Sequence, residues 1–320
     1  MSNVQRDTLK KGRTAREFIN EIQSNKRSKK GRPSGKHPQS LLEIHLAVFL
    51  FGLAGLFGKW LVLSPLIIVL GRVFFASLTL FLTLWISKQS FKVRSGKNYY
   101  YLVFLGFILS IHWVAFFRSI QVSTVAVGLL SFSTYPVFTA FLEPLFFREK
   151  LVKINIIFSF FCLTGVFLII PRFDLSDSTY IGVLWGLLSG LTFALLTIIN
   201  RKLTLQFSSL IIAFYQDLFA ALFLLPFFFI FSPLLNTRDI MLLVALGVIC
   251  TAGSHTLFIK GLKHIKAQTA SMIHFLEPVY GIIFAFLLLH EIPVLRTIMG
   301  GAIILLGQIF ILRQSLKRTA

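Results

Sequence analysis

Four ionisable residues stand well inside long apolar stretches of this chain: Arg72, Glu143, Asp217 and Glu277. A charge in hydrocarbon is expensive, so those retained there are candidates for ligand binding, proton transfer or ion pairing. Arg72 suits a counter-ion or a contact to a substrate carboxylate, because a guanidinium donates in a planar fork. Asp217 and Glu277 suit charge or proton handling. Glu277 lies nearest the middle of its stretch and precedes Pro278, which lacks a backbone donor and lets a helix open locally. The plainer alternative is a brace, with Arg72 paired to Asp217 or Glu277. Glu143 lies closer to the end of its stretch and reads as structural or interfacial.

Histidine and aromatic residues supply the second set. His112 and Trp113 are adjacent, His255 stands in another stretch, and His274 precedes Glu277 by three residues, on the same helical face. An imidazole carries a proton in the physiological range, and Trp offers an apolar or cation-binding wall. For each histidine a buried, hydrogen-bonded structural side chain is the alternative. Tyr135, followed by Pro136, is the further aromatic candidate, and the remaining phenylalanines read as packing or lipid-facing residues. Cys162 and Cys250 stand alone in apolar stretches and read as small buried residues. There is no phosphate-cradling Gly-rich loop with Lys and Ser/Thr, no HExxH and no cysteine pair at metal spacing. The expectation is no enzyme, no cofactor and no metal.

The elements that must position these residues are long and apolar on all sides. With 56% hydrophobic and 14% charged residues, the chain is too apolar for a soluble domain. Ten stretches of a length that crosses about 30 Å of hydrocarbon follow one another. They run from Leu41 to Leu63, Pro65 to Ile86, Tyr99 to Phe117, Thr124 to Phe147 and Ile154 to Ile170, then Tyr180 to Ile199, Ser208 to Phe231, Ile240 to Phe258, Ala267 to His290 and Leu295 to Leu312. Barrel strands would alternate polar and apolar residues, so helices are expected.

The apolar part is written twice. An offset of 142 carries Pro136 onto Pro278, Glu149 onto Glu291 and Gly165 onto Gly307, and His112-Trp113 onto Ser254-His255. An offset of 144 carries LIIVLGRVFFASLTL from Leu66 onto LIIAFYQDLFAALFL from Leu210, setting Arg72 opposite Gln216. Five helices per unit is an odd number, so the second unit enters the membrane inverted, with a site expected near the midplane between the units. Small residues, namely Gly186, Gly190, Gly300, Gly301 and Gly307, are expected to let helices approach closely. Glu149 and Glu291 are expected to fix helix ends at opposite faces.

Charge sets the orientation. Of the 32 Lys and Arg residues, 26 fall on one side if the N-terminus is cytoplasmic, as the positive-inside rule requires. Both termini are therefore expected inside, and the net charge of +20 belongs to a membrane protein, with no nucleic-acid partner expected. Residues 1–40 read as a basic, disordered tail able to contact anionic lipid, and no signal peptide is evident.

These residues resemble the EamA type of the drug/metabolite transporter superfamily. The resemblance covers residues 41 to 314 and is carried by Gly58 and Lys59, Arg72, Tyr135-Pro136, Glu277-Pro278, Glu149, Glu291, Gly165 and Gly307. It implies a ten-helix carrier of the bacterial inner membrane, often an exporter of amino acids or related metabolites, working by alternating access. The expected organisation is a tail over 1–40, five-helix repeats over 41–171 and 179–314 joined by a linker over 172–178, and a C-terminus over 315–320. The expected transport pathway holds Arg72, His112, Trp113, Tyr135, Asp217, His255, His274 and Glu277, opened by Pro136 and Pro278. A membrane enzyme acting on a lipid-soluble substrate, or a scaffold, is the alternative. Substrate, direction, coupling and oligomeric state are not readable from these residues.

Overall fold

The structure, a computed structural model, describes residues 36–93, 96–147, 151, 153–274 and 276–319. Most of the basic tail, and Glu149 with its neighbours Arg148 and Lys150, lie outside the described residues. Residues 39–320 form one compact unit, in which the described residues are helical and contain no β-strand. The helices are α1 (Lys36–Ala54), α2 (Phe57–Trp60), α3 (Pro65–Ile86), α4 (Gly96–Val122), α5 (Val125–Phe132), α6 (Tyr135–Phe147) and α7 (Lys153–Ile169). They continue as α8 (Ser178–Leu203), α9 (Ser209–Phe231), α10 (Thr237–Gly247), a π-helical turn (Val248–Gly253), α11 (Ser254–Gly261), α12 (Ala267–His274), α13 (Leu276–Leu289) and α14 (Leu295–Thr319).

Among the described residues, seven helical stretches are long and apolar enough to cross a membrane: Pro38–Trp60, Pro65–Ile86, Asn98–Val122, Val125–Phe147, Ser178–Leu203, Ser209–Phe231 and Thr237–Gly261. Three shorter apolar helices, Ser159–Ile169, Leu276–Leu289 and Leu295–Gly307, fall where the other three stretches were expected.

The duplication extends to the caps. Ser64 and Ser208, 144 positions apart, both accept from the backbone N–H three residues on, at 3.4 Å, and so start α3 and α9. Past the other ends, Lys88 (φ 51°) and Ser232 (φ 38°), again 144 apart, both turn into the left-handed region. Along α3, Phe74, Leu78, Phe81, Leu82 and Trp85 are exposed, while Ile68, Arg72, Ala76, Leu80 and Leu84 are buried. The outward face is greasier than the inward one, as lipid requires.

The two halves interlock. Helix α8 packs on α4, α5 and α6, α9 on α3 and α4, α13 on α5, and α14 on α7. Glycines allow the tightest crossings: a Cβ built on Gly165 would sit 2.6 Å from the Gly300 carbonyl oxygen, so α7 and α14 meet backbone to backbone. Gly52 and Gly281 do the same for α1 and α13, each with its Cβ position 3.1 Å from backbone of the opposing helix.

Candidate functional site

The side chain of Arg72 enters the bundle from α3 and is fully buried. Its Nε donates to Thr251 Oγ1 at 3.0 Å and its Nη2 to the Cys250 carbonyl at 3.4 Å. The acceptor carbonyl is available because the backbone widens into the π-helical turn at Val248–Gly253. Thr251 Oγ1 donates in turn to the Leu246 carbonyl at 2.7 Å, five residues back, and Ser254 Oγ donates to Cys250 O at 2.6 Å. The guanidinium carbon lies 3.4 Å over the centre of the Trp113 ring, a cation–π stack.

Helix α4 brings His112 and Trp113 together, their ring centres 4.5 Å apart. His112 Nδ1 sits 3.0 Å from both the carbonyl and the hydroxyl of Ser189. From α11, His255 lies 6.0 Å from Trp113, with Nδ1 3.7 Å from Asp217 Oδ1 on α9. That separation is close enough for attraction and too long for a hydrogen bond.

A broken helix and a proline-bearing stretch of the other half complete the site. Between α5 and α6, Ser133 and Thr134 interrupt the helix, and their hydroxyls donate to the Leu129 and Ser131 carbonyls at 2.7 Å each. Tyr135 and Pro136 then open α6, where proline's missing N–H costs nothing. In the other half, α12 carries His274 and α13 carries Glu277 and Pro278. His274 Nε2 contacts Glu277 Oε2, three residues on. Tyr135 packs on His274 at 5.0 Å.

All eight expected pathway residues are thus buried within one connected cluster. Its hub is Phe193 on α8, whose ring lies 4.8 Å from His274, 5.0 Å from His112 and 5.0 Å from Tyr135. Phe51 on α1 stacks on His274 at 5.2 Å and lies 6.3 Å from Trp113. Both rings belong to the buried apolar core. A signal for them was present, since Phe51 and Phe193 are 142 positions apart. Thr251 and the π turn carried no such signal.

The expected brace is also corrected: among the described residues Arg72 makes no ion pair with Asp217 or Glu277. Its polar partners lie on the π turn. Glu143 takes the structural place expected of it, contacting Arg201 Nη1 and accepting from the Ala267 N–H at 3.1 Å.

What the cluster can do follows from what it leaves unpaired. Arg72 Nη1, Trp113 Nε1, Tyr135 Oη, His112 Nε2, His255 Nδ1, Gln216 Oε1 and both Asp217 oxygens are buried without a hydrogen-bond partner among the described residues. Each such group costs on the order of 1–3 kcal/mol if left so. Arg72 and Trp113 supply donors among them, and Asp217 and Gln216 supply acceptors. A small polar molecule carrying an anionic and a cationic group, or ordered water, matches that distribution.

A family model described as the EamA-like transporter family matches the chain twice, over residues 40–170 and 180–313. An uncharacterized transporter of Bacillus subtilis is 27% identical over 252 residues, spanning 76% of this chain and 80% of that protein. An S-adenosylmethionine uptake transporter of Rickettsia conorii is 24% identical over 254 residues, spanning 77% and 82%. One solved crystal structure is similar with a TM-score of 0.65 over 85% of this chain and 96% of its own, at 13% identity, a likeness of fold alone.

Proposed function

Because the chain belongs to the EamA-like transporter family, we propose that it is a secondary carrier moving a small zwitterionic metabolite, an amino acid or a related compound, by alternating access. It is a membrane transporter and not an enzyme. The observation that carries the finer reading is the set of buried polar atoms, donors and acceptors, unpaired among the described residues. In this reading Arg72 Nη1 receives the substrate carboxylate, and Asp217 receives its cationic group. Trp113, Tyr135, Phe51 and Phe193 wall the planar or apolar remainder, while His274 and Glu277 hold charge beside them.

S-adenosylmethionine, the substrate in the printed name of the Rickettsia relative, has the required chemistry: a carboxylate, two cationic centres and an aromatic base. It is the first compound to test here. The proposed architecture is ten spans in two inverted five-helix units in the inner membrane, both termini cytoplasmic and the basic tail against anionic lipid. Exchange or export through one central site is the proposed mode, without ATP.

The test is flux in proteoliposomes loaded with labelled S-adenosylmethionine, methionine and other amino acids, with and without counter-substrate. Saturable flux, accelerated by counter-substrate and lost in Arg72→Ala and Glu277→Gln, is expected. Folded protein that moves no amino acid or sulfonium compound overturns the substrate assignment.

A further inference from the structure

Two carboxylates outside the central cluster hold the starts of two helices, each from the opposite half. Glu291, which follows α13, accepts from the N–H groups of Val125 and Ala126 at 3.2 Å each, the first residues of α5. Lys59 donates to the Ser123 carbonyl at 2.7 Å, within coulombic reach of Glu291 and without a direct ion pair to it. Glu143, on α6, contacts Arg201 and accepts from the N–H of Ala267, the first residue of α12. Both of these donors to Glu291 are therefore in the first half, and both of these donors to Glu143 are in the second.

The parts obey the duplication. The offset of 142 carries Lys59 onto Arg201 and Val125 onto Ala267. Glu149 is the register mate of Glu291 and lies outside the described residues; the acid seen in contact is Glu143. Each assembly is thus one helix N-terminus of one repeat closed on a carboxylate of the other, with a cation of the helix's own repeat in contact at Glu143 and at coulombic range at Glu291.

The two assemblies lie at opposite ends of the same stretch. Val125 and Glu143 are separated by 18 residues of α5 and α6, on the order of 25 Å of helix. The cluster lies between them, with Tyr135 at the start of α6. Helices α5 and α12 each lead over eight residues from a carboxylate contact toward the cluster, α5 to the break at Ser133 and Thr134 and α12 to His274. Each is a short lever about 12 Å long.

We propose that Glu291 and Glu143 are reciprocal latches: releasing Glu291 opens the path at the Val125 end, and releasing Glu143 opens it at the Ala267 end. This rests on the transport reading for its purpose, and its structural content stands apart from substrate identity. Both latches are closed in this structure, with the central residues buried. Releasing one frees the start of one lever to tilt while the other stays tied, the condition for access from one side at a time.

The test places a reporter cysteine in each lever, Val127→Cys in α5 and Ala270→Cys in α12, both buried positions. The native Cys162 and Cys250 are buried. Reaction with a polar maleimide is followed on the purified full chain. Glu291→Gln is expected to raise the rate at position 127 about tenfold and leave position 270 unchanged or slower, the scale set by one charge-assisted hydrogen bond. Glu143→Gln is expected to do the reverse. Where a glutamine variant does not give a monodisperse protein, Lys59→Gln and Arg201→Gln keep the helix contacts and are expected to give the same opposite pattern at smaller amplitude. A rise at both reporters in either variant, or at neither, overturns the latches. Opposite shifts in a protein that moves no tested solute uphold the latches and refute the substrate reading.

Discussion

Thr251→Val isolates the anchoring of Arg72 from its charge. The replacement keeps the shape and removes one oxygen. Two contacts go with it: the 3.0 Å bond from Arg72 Nε and the 2.7 Å bond to the Leu246 carbonyl. A hydrogen bond from a charged donor contributes about 1.5–3 kcal/mol. The Cys250 carbonyl still accepts from Nη2 at 3.4 Å, and the Trp113 stack at 3.4 Å persists, so the loss falls at the low end, about 1.5 kcal/mol. That is roughly a tenfold rise in KM for flux, if Arg72 must be held to meet the substrate. Thr251→Ser restores the hydroxyl and is expected to restore KM. The assay is proteoliposome flux for the parent, Thr251→Val and Thr251→Ser, with melting temperature measured alongside. A KM for Thr251→Val within twofold of the parent refutes the argument that the π turn positions Arg72.

Phe193→Ala removes the ring shared by His112, Tyr135 and His274; a buried Phe→Ala change costs about 3–5 kcal/mol in soluble cores, so a marked fall in melting temperature is expected beside lost flux. Phe193→Tyr, which keeps the ring, is expected to stay folded. Gly300→Val sets a branched side chain where a Cβ alone already collides with the Gly165 carbonyl and the Ile169 side chain, so α7 and α14 must separate; faster proteolysis and loss of monodisperse protein are expected. In the exposed loop before α8, the Ser176 N–H and hydroxyl both donate to Asp174 and hold its carboxyl below its ordinary value of 3.8. A depressed carboxylate pKa means the contact is kept above the ordinary value and lost as pH falls through the lowered one. The Ser176 amide shift is expected to titrate with a midpoint below 3.8 and to stop titrating in Asp174→Asn.

Much of this protein is legible in its residues because lipid leaves few choices. Long stretches with no polar side are helices, since backbone groups in hydrocarbon must bond within their own segment. The few charges left inside such stretches attract attention for the same reason, and Arg72, Asp217 and Glu277 do meet in one buried cluster. Pro136 marked the α5–α6 break, because a residue without an N–H leaves its mark in the sequence. The duplication is arithmetic, and it held more than was first taken from it: Phe51 with Phe193 and Lys59 with Arg201 keep the same offset.

Partnership was settled only in three dimensions. Sequence made Asp217 and Glu277 the natural partners of Arg72, because opposite charges attract, yet the chain turns the guanidinium onto Trp113, Thr251 and a carbonyl of a π turn. A π turn arises where packing on a neighbouring helix outweighs the local ladder of hydrogen bonds, and no local residue pattern encodes that balance. The same holds for Glu143 and Glu291. Their types and positions are in the sequence, but their partners lie 58, 124, 165 and 166 residues away, and only the interlocking of the two halves brings them within reach.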